Sequence, residues 1–507
     1  VTRLLDSRWF GLADLICAML GAMVIYGWPG LGGWPLLITL LPWAVRPAAG
    51  RFPFRRTWLD FPLALFLITA ASGVWAAYDP QRAWAKFWIL ASAIGLYYAL
   101  AGQPRENLWL SFGLASLCGA YIAGYFLLTH DWHLLPADLR LLNRLGEWWV
   151  SVRPTLSARP LYENIAGGLL ALLAPFPLAL ALRALRPRRI LMGVFALVTG
   201  GMIALGLLMT SSRAAWGALA AAVGAWLVWG LSGLLAPRLA RPRRAIFLTA
   251  LLIVCLPVVG FILVYPGGWV ALANKLPGLP NGASRLDLAR DAVRLVGDFA
   301  FTGGGLGAFS GLYSRYMLII NVFLFSYSHN FLLDVAVEQG AFGALAFAII
   351  MLAAGGALLA RLLREREPEA ETSLQAWAVL AGWIALILHG LLGDALYSEN
   401  GSPMLFLLTG LALVVAAPPA GSVTPPLIAR PTVGRTWKLA GAGTLLGAAA
   451  LLGIFYQPVL AQWYANLGAV RMAQIELSGW NDLATNEFSQ PDLGPAQTLL
   501  VRAVQLD

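Results

Sequence analysis

Apolar runs of membrane-spanning length recur along almost the whole of this 507-residue chain, and no other feature restricts its fold so tightly. A helix needs about 20 apolar residues to cross a bilayer, and its backbone must satisfy its own hydrogen bonds there. The runs are too long and too weakly alternating for the strands of a membrane barrel. Their recurrence also excludes a soluble enzyme with one anchor. The chain is 12% charged and 59% hydrophobic, whereas soluble domains carry about 25% charged residues. The expected fold class is all-α: a polytopic membrane protein with about 12–13 transmembrane helices.

The spans are expected at approximately 9–28, 32–46, 58–78, 84–101, 108–128, 163–182, 190–210, 214–235, 246–265, 330–360, 375–393, 403–418 and 439–457. The second is short enough for a tilted or re-entrant helix. With the N-terminus in the cytoplasm, arginine clusters fall on alternate loops: Arg46 to Arg56, Arg183 to Arg189, Arg238 to Arg244, Arg361 to Arg366, and Arg430 to Lys438. That regularity is the positive-inside rule, and it accounts for most of the net charge of +10 without invoking nucleic acid. No cleavable signal peptide is expected, since further spans follow the first apolar run. Cys17, Cys118 and Cys255 lie in apolar runs, with no metal or disulfide spacing.

The expected organisation is a membrane domain over 1–457, with extracytoplasmic loops at 129–162 and 266–329. A helical, tetratricopeptide-like tail at 458–507 would follow on the same side. It would be a docking module or a stabilising cap. No pair of matched broken helices of the transporter kind is visible.

Several arginines run against the charge bias, among them Arg140, Arg144, Arg213, Arg285, Arg290 and Arg294. An anionic ligand on the outer side explains them, as does ordinary loop charge. Arg213, in "TSSRAAW", sits at a tight helix–helix turn, where it either pairs or snorkels. In "SRLDLARDAVRLVGDFAFTGGGLGAF", Arg285, Arg290 and Arg294 precede Gly303, Gly304, Gly305 and Gly307. Such a run shapes either a tight turn or a nest of backbone N–H groups for an anion. In "SHNFLLDVAVEQGAFG", His329 and Asn330 stand where a loop enters a long apolar helix. If that helix begins at His329, Gly340 lies about 20° and Gly343 about 40° from its line, forming one stripe for close helix packing. His329 is then a helix cap or a surface residue. Asp394, in "HGLLGDALY", either pairs with an arginine or orients His329.

These motifs resemble those of the O-antigen ligase and polymerase superfamily over roughly residues 160–420. The family's His-Asn-x9-Gly-x2-small pattern is met by His329, Asn330, Gly340 and Gly343, and its Ser-Arg helix turn by Ser212 and Arg213. Its "RLxxxxxA…DFxxTGxG" block is met by Arg285, Ala292, Asp298, Phe299, Thr302, Gly303 and Gly305, with Ala289 where relatives carry tryptophan.

The resemblance implies a GT-C-like glycosyltransferase of the bacterial inner membrane, with its site facing the periplasm. It would take an undecaprenyl-pyrophosphate-linked glycan and transfer it to a hydroxyl of a glycan, lipid or protein acceptor. Arg213 and Arg285 would hold the pyrophosphate and His329 would act as base. Arg290, Asn330, Gly303, Gly305 and Asp394 would line the substrate. The candidate segments hold no dense carboxylate or histidine cluster, so no metal and no cofactor are expected. En bloc ligation is the leading expectation. Polymerisation of repeat units and protein O-glycosylation share its donor. Transport is disfavoured by the outward grouping of the motifs and by the lack of a midplane charge relay.

Overall fold

The structure is a computed structural model that describes residues 8–48, 50, 52–137, 139–156, 158–185, 189–266, 285–318, 325–364, 370–393, 396–398, 401–417, 456–478 and 492–507. Among these there are helices and no strands. In chain order they are α1 (Arg8–Gly27), α2 (Leu36–Ala48), α3 (Asp60–Ala76), α4 (Pro80–Ala101), α5 (Leu108–Thr129), α6 (Arg140–Val152), α7 (Glu163–Leu173), α8 (Pro175–Ala184) and α9 (Ile190–Met209). There follow α10 (Arg213–Leu235), α11 (Arg243–Val264), α12 (Arg285–Asp298), α13 (Phe309–Tyr316), α14 (Phe331–Arg364), α15 (Ala370–Leu392), α16 (Ser402–Ala416), α17 (Tyr456–Leu477) and α18 (Gly494–Leu506).

Eight segments among the described residues are long and apolar enough to cross a membrane, α7 and α8 counting as one run from Glu163 to Ala184. Four further apolar helices are shorter: Trp9–Ile25, Leu36–Pro47, Asp60–Ala76 and Ser402–Ala416. This is an all-α polytopic membrane protein. Twelve of the expected spans coincide with these segments; the thirteenth, 439–457, falls almost wholly outside the described residues.

Centre and periphery differ by burial. The most apolar stretch of Glu163–Ala184 is 78% buried inside the protein, and that of Arg243–Phe261 only 6%, so α11 is a lipid-facing helix. Small residues bring the central helices together, as expected where water does not drive packing. Gly382 of α15 lies against the Leu172 carbonyl of α7, and Gly410 of α16 against the Tyr97 carbonyl of α4.

Helix α14 departs from the sequence expectation in two ways. It begins at Phe331, with His329 outside it at φ 59°. It is also interrupted at Gly340, whose φ of 75° and ψ of −178° are not helical. The expected stripe of His329, Gly340 and Gly343 along one straight helix is therefore broken. The cause is the glycine loop. The Ala341 N–H donates to the Ala300 carbonyl and the Gly304 N–H to the Val337 carbonyl, both at 2.7 Å. The loop before α13 thus splices into the gap that Gly340 opens in α14.

The spanning region also holds a charge pair that the sequence reading did not anticipate. Lys86 Nζ of α4 lies 2.6 Å from Glu338 Oε2 of α14, both side chains almost fully buried. The Lys86 ammonium also lies 4.1 Å from the centre of the Tyr397 ring. The pair sits about 9 Å along α4 from its first residue, at 1.5 Å of rise per residue. Each charge is tolerated there because the other neutralises it.

Candidate active site

Five helix ends meet at one end of the bundle. Asn164, at the start of α7, accepts a 3.0 Å hydrogen bond from Ser212 Oγ, next to Arg213 at the start of α10. Gly167 of α7 lies against the Ser212 side chain, and Gly168 against the His389 ring of α15. The last turn of α15 then receives two donors: Arg285, at the start of α12, donates to the Leu392 carbonyl, and Asn330 Nδ2 donates to the Leu391 carbonyl at 3.3 Å. The N-termini of α7, α10, α12 and α14 are thereby gathered around the C-terminus of α15. Helix N-termini carry partial positive charge and unused N–H groups, and two arginines are added to them.

The turn carrying His329 is built to hold an unfavourable conformation. A histidine at φ 59° is uncommon and costs on the order of 1 kcal/mol or more. The Ser328 N–H donates to Asp334 Oδ1 at 2.7 Å, Ser328 Oγ donates to the Asn330 carbonyl at 3.0 Å, and the Asn330 N–H donates back to Ser328 Oγ at 3.2 Å. Asn330 Oδ1 caps α14 by accepting from the Leu332 and Leu333 N–H groups at 3.0 and 3.2 Å. Between the two roles open to Asn330 at the sequence level, ring holder or helix cap, the geometry gives it the cap.

His329 and Arg285 are neighbours. Burial pushes the His329 imidazole down to about 4, and the Arg285 guanidinium beside it pushes in the same direction. The ring is therefore neutral across the physiological range. Its folded value lies below its unfolded one, so its contribution to stability is fully present above about 6.5. That contribution is lost as pH falls from there through about 4.

The other expected substrate-lining residues are placed differently. Arg290 is exposed, lies 3.4 Å from Asp287, and projects about 140° around α12 from Arg285. It does not share the Arg285 face. Gly303 and Gly305 are buried, at φ 72° and 118°. A Cβ on Gly303 would fall 2.2 Å from the Glu338 carbonyl oxygen, and one on Gly305 would fall 2.4 Å from the Ala77 Cα. The Gly303 N–H donates to the Phe299 carbonyl at 2.9 Å. These glycines form a packed joint between the loop, α3 and α14, so of the two forms that the sequence left open, tight turn or anion nest, the contacts match the tight turn. Asp394 lies outside the described residues. Among the described residues no group of three or more His, Cys, Asp and Glu side chains is placed to hold a metal ion.

Two supporting residues escaped the sequence reading. Asp334 is buried and fixes the His329 turn; its only signal was an acid five residues after the histidine in an apolar run. Asn466 of α17 is fully buried. It accepts from the Phe301 N–H at 2.9 Å and donates to Thr302 Oγ1 at 2.7 Å, holding the glycine loop from the far end of the chain. Nothing in the sequence pairs those positions.

The fold is that of a multi-pass membrane protein, and at one end of its bundle several helix N-termini are gathered, with Arg213 at the start of α10 and a neutral His329 beside Arg285. Residues 199–348 match the family model described as O-antigen ligase, a stretch that contains Arg213, Arg285 and His329. The match supports the O-antigen ligase and polymerase superfamily, and with it an O-antigen ligase- or polymerase-like membrane glycosyltransferase. No match is found among curated proteins.

Proposed function

We propose that the protein transfers a glycan from a polyprenyl-pyrophosphate donor, undecaprenyl in bacteria, to an acceptor hydroxyl. The site end of the bundle would face the periplasm from the inner membrane. The observation that carries this reading is the neutral His329 beside Arg285, among gathered helix N-termini. In the proposed step the acceptor oxygen attacks the anomeric carbon and its proton passes to His329. The bond from that carbon to the pyrophosphate oxygen breaks, and the departing polyprenyl pyrophosphate takes the electron pair. Arginine forks match phosphate oxygens and stay charged, so Arg213 and Arg285 would stabilise the charge as it develops. No divalent metal is required by this scheme.

The reading is tested with a defined lipid-linked glycan and acceptor. His329→Ala is expected to abolish transfer while donor binding stays within about threefold; full activity in that variant would remove the base. Activity is also expected to survive excess chelator, and loss that only added metal restores would overturn the metal-free scheme. En bloc ligation is the form we favour, following the description of the matching family. A single transferred block supports it, and a ladder of lengths would indicate a polymerase.

A further inference from the structure

Helix α6 belongs to no part of the proposed reaction, yet its surface is unusual for a loop helix. At about 100° per residue its side chains divide into three arcs. Leu142, Gly146, Trp149 and Val150 span about 100° and face the protein. Gly146 presses on the Trp132 ring, and the other three pack against the main core. Arg140, Arg144 and Ser151, exposed, lie within about 40° of one another. Between these arcs, Leu141, Leu145, Trp148 and Val152 fall within about 60°. They are 70, 46, 62 and 55% exposed. A helix standing in water would turn a polar face outward there; this one shows a continuous apolar shoulder.

Its depth is fixed by two hydrogen bonds. Trp149 Nε1 and Arg153 both donate to the Leu127 carbonyl at 2.7 Å, in the last turn of the spanning helix α5. The helix is therefore held at the level where α5 leaves the bilayer, on the same end as the site. The single acid of α6, Glu147, is turned to Asn143, which donates to it at 2.7 Å. That leaves the arginines bordering the apolar shoulder.

We propose that α6 is an in-plane interfacial helix whose Leu141–Leu145–Trp148–Val152 shoulder enters the acyl boundary, with Arg140 and Arg144 on the headgroups of anionic phospholipids. The order of the three arcs around the helix is protein, lipid, headgroup, which is the arrangement that such a position requires.

The full chain, with Cys17, Cys118 and Cys255 replaced, is reconstituted in nanodiscs of phosphatidylglycerol or phosphatidylcholine and spin-labelled at single cysteines. Leu145→Cys and Val152→Cys labels are expected to collide with oxygen in preference to a nickel chelate, as a label at Leu248→Cys on lipid-facing α11 does. Ser151→Cys is expected to resemble a label on the exposed loop residue His133. In phosphatidylglycerol the oxygen-to-nickel ratio at position 145 is expected to rise at least twofold over phosphatidylcholine, and the rise to vanish with Arg140→Gln and Arg144→Gln together. Nickel accessibility at 145 and 152 equal to that at 133 would overturn the proposal. So would immersion indifferent to headgroup charge. All labelled positions are exposed, so folding is preserved, and the readout does not depend on transfer activity.

Discussion

The His329 imidazole is held neutral by two causes of different character. Burial persists throughout a catalytic cycle, but the repulsion from Arg285 does not, because a bound pyrophosphate would neutralise that guanidinium. Donor binding should therefore raise the basicity of the ring toward its ordinary range, where a base is more effective. The acid limb of kcat/KM, which reports free enzyme, is expected near pH 4 to 5. The limb of kcat, which reports the donor complex, should lie at higher pH. Coincident limbs in the two profiles would show that Arg285 is not the group that the donor neutralises. His329 and Arg213 stand out in the sequence because each interrupts an apolar context in which polar groups are costly, and Arg285 because it opens a charged amphipathic stretch ahead of the glycine run. Asp334 and Asn466 were not, because their roles come from contacts with a distorted turn and a loop that periodicity does not encode.

Among the elements, α14 and the glycine loop depend on each other. Gly340 opens the helix, and Gly303 allows the loop backbone to reach Glu338. A side chain at Gly340 would need a backbone conformation nearly confined to glycine and would meet the Ala300 and Phe301 carbonyls at 2.7 and 2.8 Å. Gly340→Ala is expected to cost on the order of 1–3 kcal/mol from the backbone alone. Thermal unfolding in detergent should register a lowered midpoint; an unchanged midpoint would mean that the splice is not needed. The sequence led to a straight helix here because the 3.6-residue period continues across Gly340 without interruption. Periodicity records which face is apolar, and both halves of α14 keep theirs, so a local break leaves no trace in the pattern. Spans such as α4, α5 and α9 were legible for the converse reason, being regular throughout.

On the scale of the whole molecule, the tail is part of the same body as the site. In α17, Glu476 meets Arg315 at 3.1 Å and the Tyr316 hydroxyl at 3.0 Å, while Val470, Ala473 and Leu477 share a core with α12 and α13. Of the two roles that the sequence left for the tail, a stabilising cap is the one these contacts support. Asn466→Ala would leave the Phe301 N–H and the Thr302 hydroxyl without their partner, at about 1–3 kcal/mol. We expect it to lower transfer severalfold and to increase proteolytic cutting between α12 and α14; wild-type activity and protection would argue against the link. The Asn466 contact also has a consequence in time. A chain is made N-terminus first, so Arg213, Arg285 and His329 are all synthesised well before residue 466 leaves the ribosome. The loop beside them acquires its last hydrogen bonds only when α17 arrives.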